Sequence, residues 1–253
     1  MHLNLIGCKQ LAHAIITSTV LLSSAWSMSS LASELTPQPQ TCTDILDYQL
    51  TYKGSNVGKI QRQQVWQGHD IKASTSGRVS FLMFKFSGSH HAQLSWSPIQ
   101  QRYLTREYTQ DVKGFSDTST QAHFSENSLN SKLTLNGESK DYSDLEQPIV
   151  DFEAIAVQMR HYLMTQSASE FDFVLQKSDK TSRYYFQAQG EETIKVKGQD
   201  IKAIKISQVR KKDRKLHLWF APELNYQLVK ASYKRKIIDI EAELTQRQLE
   251  CQN

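Results

Sequence analysis

Short segments in which apolar and polar residues alternate run through most of this chain. Tyr48, Leu50 and Tyr52 begin the pattern, and later segments repeat it. Successive side chains of a strand point to opposite faces, so this alternation is typical of β-strands. Gly, Asn, Asp and Ser separate the segments, and Asn136-Gly137 favours a tight hairpin because both residues tolerate positive φ. The pattern predicts about fourteen short antiparallel strands.

One segment breaks the alternation. Between Gln147 and Met164, apolar residues recur at three- and four-residue spacing, at Ile149, Phe152, Ile155, Ala156, Met159, Tyr162 and Leu163. This spacing predicts one helix, with Pro148 in its first turn. So many strands in a flat sheet would expose long edges. We therefore predict a mainly β fold: an antiparallel, strongly curved sheet or open barrel with one long helix packed on it.

The segment from Arg78 to Phe86 carries apolar side chains on both faces of a predicted strand, Phe81 on one and Phe84 on the other. We interpret it as one strand buried on both sides. An open barrel with an apolar interior and a helix covering the outside would produce such a strand.

The N-terminus is typical of an export signal. Leu11 to Leu31 is apolar or small apart from His13, and Ser30 and Ala32 stand where a signal peptidase reads small residues. We predict cleavage after Ala32 and a periplasmic location. The alternative is a membrane anchor, but serines interrupt the apolar run. The predicted organisation is a signal peptide (1–32), a leader (33–46), one β-rich domain (47–248) and a tail (249–253).

Removal of the signal leaves two cysteines, Cys42 and Cys251, one near each end of the mature chain. In an oxidising compartment such a pair is expected to form a disulfide. The alternative is two unrelated thiols. The mature chain carries 29 basic and 26 acidic residues, because Lys9 is the sole Lys, Arg, Asp or Glu before Ser33. This near balance gives no electrostatic argument for binding nucleic acid.

One local concentration of positive charge lies between two alternating segments. Its members are Arg210, Lys211, Lys212, Arg214 and Lys215. The simplest interpretation is a solvated hairpin tip. Several neighbouring cations also attract anionic surfaces, so contact with acidic lipid headgroups is the functional alternative.

Motifs for catalysis or metal binding are absent from the sequence. There is no Gly-x-Ser-x-Gly elbow and no His-Glu-x-x-His or Cys-x-x-Cys spacing. We expect no cofactor, no metal and no catalytic residue. Paired carboxylates for glycoside cleavage stay open, because such pairing is spatial.

Aromatic residues on the predicted strands are candidates for lining an apolar cavity. The candidates are Trp66, Phe81, Phe84, Trp96, Phe186 and Trp219. The competing interpretation is that they fill an ordinary core, where aromatic side chains also dominate.

Several separated segments together resemble the bacterial exported family called domain of unknown function 3108. They are Tyr48 to Tyr52 with Val57-Gly58, the Asp151 to Arg160 helix, Tyr184 to Glu192, Val196 to Gly198 and Leu218 to Glu223. The chain departs from the family where Gln227-Leu228 replaces a common proline. The resemblance spans about residues 47 to 248 and implies a periplasmic β-rich fold, with no activity assigned.

Three hypotheses about function follow. The first is a periplasmic carrier or chaperone that shelters a lipid, an acyl chain or another apolar moiety, and it predicts an apolar pocket. The second is an envelope assembly factor with a packed core, which would dock on another envelope protein through a strand edge or the basic hairpin. The third is a hydrolytic enzyme with a polar cleft. None of them makes the processed chain an integral membrane protein.

Overall fold

A computed structural model describes residues 41–81, 84–114, 116–165 and 169–252, without the side chains of Phe81 and Phe84. The predicted signal segment and its cleavage after Ala32 lie outside these residues. The elements are β1 (Thr41–Tyr52), β2 (Ser55–Gln67), β3 (Asp70–Phe81), β4 (Phe84–Ser97), β5 (Arg102–Lys113), β6 (Thr118–Phe124), β7 (Asn130–Leu135), β8 (Glu138–Ser143), β9 (Ile149–Val150), α1 (Phe152–Thr165), β10 (Glu170–Gln176), β11 (Thr181–Val196), β12 (Gln199–Val209), β13 (Lys215–Ala221), β14 (Gln227–Arg235) and β15 (Ile238–Gln252). A 3-10 turn, Pro222–Leu224, precedes β14.

The strands form one nearly closed, barrel-like sheet. Its order is β8-β7-β6-β5-β4-β3-β2-β1-β15-β14-β13-β12-β11-β10-β9, so most strands pair with their neighbours in the chain. β1 pairs with both β2 and β15, and the β9–β10 pair is parallel. The sheet ends, β8 and β9, are consecutive in the chain, and Ile149 N–H donates to the Ser128 carbonyl at 2.7 Å. The predicted curved, antiparallel sheet is confirmed.

Irregular pairing helps the sheet to curl. The register shifts at Asp47/Tyr48 between β1 and β15, and at Gln93/Leu94 between β4 and β5. Such bulges increase local twist and bend the strand. At Gly58 the strands approach so closely that a Cβ atom would lie 2.1 Å from the Arg78 carbonyl oxygen, so this position requires glycine.

The sheet curves around α1. Side chains of the helix bond to residues of β1, β2, β3 and β5 and to the segment before β14, which are far apart in the sheet order. Every position from Glu153 to Leu163 is buried or half-buried. The predicted packing of one helix on the sheet is confirmed, and because strands from both halves of the sheet contact it, the helix lies within the curve instead of covering the outside.

Two apolar clusters fill the interior. The larger joins α1 to β3–β7 and β9–β13, with Met159, Ile206 and Phe220 almost fully buried. The smaller includes Leu46 and Trp219. Along β13, Leu218 and Phe220 belong to the larger cluster while Trp219 and Ala221 belong to the smaller, so this strand is buried on both faces.

Three boundaries differ from the prediction. The helix begins at Phe152 instead of Gln147, because Ile149 and Val150 pair with β10 as a short strand. The predicted single strand from Arg78 to Phe86 is divided between two antiparallel strands, β3 and β4, in which Phe81 pairs with Phe84. Paired strands also extend into the predicted leader and tail, from Thr41 to Gln252.

Candidate ligand-binding pocket

The first turn of α1 is held inside the sheet by Asp151. Its carboxylate accepts hydrogen bonds from the backbone N–H groups of Glu153 and Ala154, both at 3.0 Å. It also accepts from the Thr105 hydroxyl at 2.9 Å and from His90 Nε2 at 2.8 Å. A side-chain acceptor that satisfies free N–H groups stabilises the start of a helix. Asp151 therefore fixes where the helix begins and how it meets β4 and β5.

Glu153, in the same turn, binds the other side of the sheet. Its carboxylate accepts a hydrogen bond from Arg62 Nε at 2.7 Å and lies 2.5 Å from Arg62 Nη2. The Thr75 hydroxyl donates to it at 2.6 Å. Glu153 is 2% exposed and Arg62 8%, so the ion pair is buried. These contacts dock the helix onto β2 and β3.

His90 and Asp151 each shift the pKa of the other. Burial alone would lower the pKa of His90, but the hydrogen bond and charge of Asp151 outweigh burial and raise that pKa above 6.5. Burial would raise the pKa of Asp151, yet the hydrogen bond and charge of His90 hold it below 3.8. Both shifts favour the charged pair near neutral pH.

The second half of α1 borders a pocket of about 380 Å³ beside the first residues of β1 and the last of β15. Its walls are mostly apolar and it opens to solvent. The lining residues are Cys42, Asp44, Trp66, Tyr103, Val157, Arg160, His161, Met164, Asn225, Arg247, Leu249 and Cys251. Its volume lies within the range of small-molecule sites.

Aromatic rings build one wall of the pocket. The Trp66 and Tyr103 rings meet edge to face at 6.0 Å between centroids. Behind them, the Trp96 ring lies 5.2 Å from Tyr103 and 4.6 Å from His161. Edge-to-face contacts of this kind hold aromatic side chains in fixed orientations. Burial lowers the pKa of His161, so its ring is neutral at neutral pH.

Charged groups form the other wall. Asp44 is 1% exposed and accepts two hydrogen bonds from Arg247, at 2.9 and 2.8 Å. Arg160 approaches the same carboxylate less closely, with Nη1 at 3.9 Å from Asp44 Oδ2. Its guanidinium carbon lies 5.7 Å from the centre of the Trp66 ring. Burial lowers the pKa of Arg160; Asp44 opposes the shift and the Arg247 charge adds to it.

A second concavity, about 250 Å³, lies on β2–β5 near His90. Its apolar lining residues are Ile60, Val79, Phe86 and Val112, and the paired glycines Gly77 and Gly88 also line it. It is a shallow depression of one sheet face without a helical wall. The pocket beside α1 combines aromatic rings with charged groups at fixed positions, and is therefore the better candidate site.

The predicted lining residues separate into three groups. Trp66 lines the pocket, and Trp96 supports its wall from behind. Phe186 is 3% exposed in the larger core cluster, and Trp219 is 8% exposed in the smaller one, where its Nε1–H donates to Glu192 at 2.6 Å. The side chains of Phe81 and Phe84 lie outside the described residues. Core filling accounts for Phe186 and Trp219.

Several pocket residues were not predicted from the sequence. They are Asp44, Tyr103, Arg160, His161, Met164, Arg247 and Leu249. One signal was present, because the segment from Asp151 to Arg160 carries the family resemblance and places Glu153, Gln158 and Arg160 among apolar helical positions. Polar residues inside an otherwise apolar helix indicate internal partners.

The basic hairpin connects β12 and β13, and two of its arginines contact neighbouring side chains. Arg210 stacks on Tyr185, with 4.1 Å between its guanidinium carbon and the ring centre. Arg214 pairs with Asp213 at 2.9 Å, and Asp213 also binds Arg235. Lys211, Lys212 and Lys215 are exposed. Their contact with an anionic surface stays a prediction.

Cys42 and Cys251 are register partners on β1 and β15, with Cα atoms 4.0 Å apart and sulfur atoms at disulfide-bonding distance. Within the described ranges, no helix has the length and apolar character needed to cross a membrane. In the same part of the chain, no group of three or more His, Cys, Asp or Glu side chains is arranged to hold a metal ion.

Comparison with known proteins identifies a sequence family and a structural likeness. The family model described as a protein of unknown function, DUF3108, matches residues 47–245. A crystal structure described as a β-barrel-like protein of domain of unknown function DUF1849, from Brucella abortus, is similar with a TM-score of 0.48 and 8% identity. That likeness covers 84% of this chain and 99% of the other. A search of curated proteins finds no match.

Proposed function

Because this chain belongs to the DUF3108 family, whose function is unknown, we propose a role from its own geometry: it is a carrier or chaperone that shelters an apolar moiety. The ligand class is a lipid or acyl chain, and the site is the pocket beside α1. A barrel-like sheet curved around a helix is compatible with a binding role.

One observation supports this proposal above the others: the walls of the pocket are mostly apolar although it opens to solvent. Met164 and Leu249 line it with 53% and 50% of their surfaces exposed. Apolar surface in a concave site is hydrated at a free-energy cost that an apolar ligand removes. The fixed rings of Trp66 and Tyr103 add a preformed surface, which lowers the entropic cost of binding.

We extend the proposal to a location outside the cytoplasm, in the periplasm. The cysteine pair at bonding distance supports it, since disulfides persist in oxidising compartments. The predicted consequence is that the exported chain begins at Ser33. Intact-mass measurement of protein from the periplasm checks this, and a mass that retains residues 1–32 would contradict the predicted cleavage.

The proposed site is tested by titration with the neutral apolar dye N-phenyl-1-naphthylamine, whose fluorescence rises in apolar surroundings. Leu249→Gln places a polar group at the pocket and is expected to weaken dye binding about tenfold, by analogy with the loss of one buried leucine contact. Ile238→Gln is the matched control, because Ile238 is an exposed apolar residue of the same strand outside the pocket lining. Equal loss in both variants, or in neither, would reject the proposed site.

The alternative role, an envelope assembly factor, predicts an exposed strand edge. Among the described residues, β8 has a strand neighbour on one side only. This strand is six residues long and carries Glu138, Lys140 and Asp141. Short, charged edge strands resist pairing with other chains. The edge therefore gives the assembly role less support than the pocket gives the carrier role.

A further inference from the structure

Resting on the carrier function proposed above, we propose that the ligand is an amphiphile with an anionic head, a carboxylate or a phosphate, and that Arg160 binds this head. The apolar tail would lie along Trp66, Tyr103, Met164 and Leu249, which line the same pocket. The carrier proposal names no head group, so the inference narrows the class of ligand.

The two arginines of the pocket are unequally paired. Arg247 forms a two-point contact with Asp44, at 2.9 and 2.8 Å, and its Nη1 also donates to the Leu224 carbonyl at 2.9 Å. Arg160 uses Nε for the Asn225 carbonyl at 2.9 Å. Among the described residues, neither terminal nitrogen of Arg160 has a hydrogen-bond partner, and the nearest carboxylate oxygen is 3.9 Å away.

The pocket therefore has an excess of positive charge. Its lining contains two guanidinium groups and one carboxylate, that of Asp44. The nearby Glu153 carboxylate is paired with Arg62 and supplies no free negative charge. His161 is neutral at neutral pH because burial lowers its pKa. A partly buried cation without a full partner is costly, so an anion that reaches Arg160 gains a charge-assisted hydrogen bond.

The orientation of Arg160 suits a head group held at the edge of an apolar surface. Its guanidinium lies over the Trp66 ring, which restricts its movement. The side chain is 14% exposed, and the pocket that it lines is open to solvent. A planar guanidinium presents parallel N–H donors that match the oxygen atoms of carboxylate and phosphate.

The test compares ligands that share a tail and differ in the head. The wild-type protein, Arg160→Gln and Arg78→Gln are each loaded with the dye. Displacement of the dye is then measured with four competitors at concentrations below aggregation: dodecanoate, dodecyl phosphate, dodecanol and inorganic phosphate. Arg78 is an exposed arginine outside the pocket and serves as the matched control. Thermal unfolding of each variant confirms that it is folded.

We expect at least one anionic amphiphile to bind the wild type about tenfold tighter than dodecanol, as for one charge-assisted contact. Arg160→Gln is expected to remove this preference, so that charged and neutral amphiphiles bind it equally, while Arg78→Gln keeps the preference. The comparison of dodecanoate with dodecyl phosphate shows which of the two head groups, carboxylate or phosphate, binds tighter. Equal binding of charged and neutral amphiphiles by the wild type, or a preference that survives Arg160→Gln, would overturn the inference about the head group and leave the carrier function standing. Inorganic phosphate bound as tightly as the amphiphiles would overturn it in favour of a simple anion site, and binding of no amphiphile would reject the carrier function too.

Discussion

His90 and Asp151 form a buried pair whose titration gives the fold a pH dependence of known sign. A pKa raised on folding stabilises the fold below the unfolded value, and that contribution is lost as pH rises through the folded value. The His90 contribution is therefore complete below 6.5 and is lost as pH rises from there through its raised pKa. The Asp151 contribution is complete above 3.8 and lost as pH falls through its lowered pKa.

We expect the wild-type free energy of unfolding to fall as pH rises from about 6 to about 9. The part of this fall that comes from His90 should be absent in His90→Gln. Glutamine keeps a donor toward Asp151 without titrating. The measurement is urea unfolding at a series of pH values. His91→Gln is the control, since His91 is the exposed neighbour on the opposite face of β4. A pH slope that is the same in wild type and His90→Gln would contradict the pairing.

The sequence showed the type of each side chain but not whether that side chain would line the pocket or lie in the core. Trp66 and Trp219 are both tryptophans on alternating segments, yet one lines the pocket and the other lies in a core cluster. Both faces of β13 are buried, one in each cluster, so alternation does not show which strand face meets a pocket. That depends on how distant strands come together in the sheet, so the lining could not be separated from the core by sequence alone.

At the level of elements, α1 depends on a buried ion pair for its docking onto the sheet. Removing one partner leaves an uncompensated buried charge, which costs about 3–5 kcal/mol, whereas replacing both by apolar residues is close to neutral. We therefore expect Glu153→Leu to destabilise strongly, because Arg62 stays buried. The double variant Arg62→Met/Glu153→Leu should recover most of that loss.

Chemical denaturation of the two single variants and the double variant measures this coupling. Glu170→Leu, an exposed carboxylate at the start of β10, is the control for charge removal. A double variant no more stable than Glu153→Leu would show that the pair does not determine how the helix docks.

The elements themselves were largely predictable. Period-two alternation located most strands, and the three- and four-residue spacing located the helix. The turn at Asn136-Gly137 was predicted correctly, with both residues at positive φ. The boundary between β3 and β4 was missed because the sequence from Val79 to Phe86 contains no Gly, Pro, Asn or Asp that would signal a turn. The start of α1 was misplaced because Ile149 and Val150 pair with Val174 and Leu175, a distant contact.

At the scale of the whole molecule, the Cys42–Cys251 pair joins the first and last strands. β1 pairs with β15 along its full length, so the first and last strands lie next to each other in the middle of the strand order. A disulfide between these cysteines, 209 residues apart in the sequence, would restrict the unfolded chain and stabilise the fold by on the order of 5 kcal/mol in the chain-entropy model.

We expect reductant to lower the urea midpoint of the wild type, and Cys42→Ser/Cys251→Ser to show that lower midpoint with or without reductant. Thiol titration under denaturing conditions verifies the state of the cysteines. A wild-type midpoint unchanged by full reduction would contradict a stabilising role for the crosslink.

Curvature of the whole sheet was inferred from the number of strands, since a flat sheet would leave long edges. The position of α1 inside that curve was not predicted. Its polar residues, Glu153, Gln158 and Arg160, bond to β2, β5 and the segment before β14. Such partners are brought together by closure of the sheet and are invisible in local periodicity.

Native mass spectrometry with lipid extraction, on protein purified from the periplasm without detergent, tests the carrier function most directly. We predict a stoichiometric adduct of an amphiphile whose occupancy is unchanged in Ile238→Gln and reduced in Leu249→Gln. A clean mass of the ligand-free chain in wild-type protein, or an adduct that Leu249→Gln retains at full occupancy, would contradict the proposal that this pocket shelters the ligand.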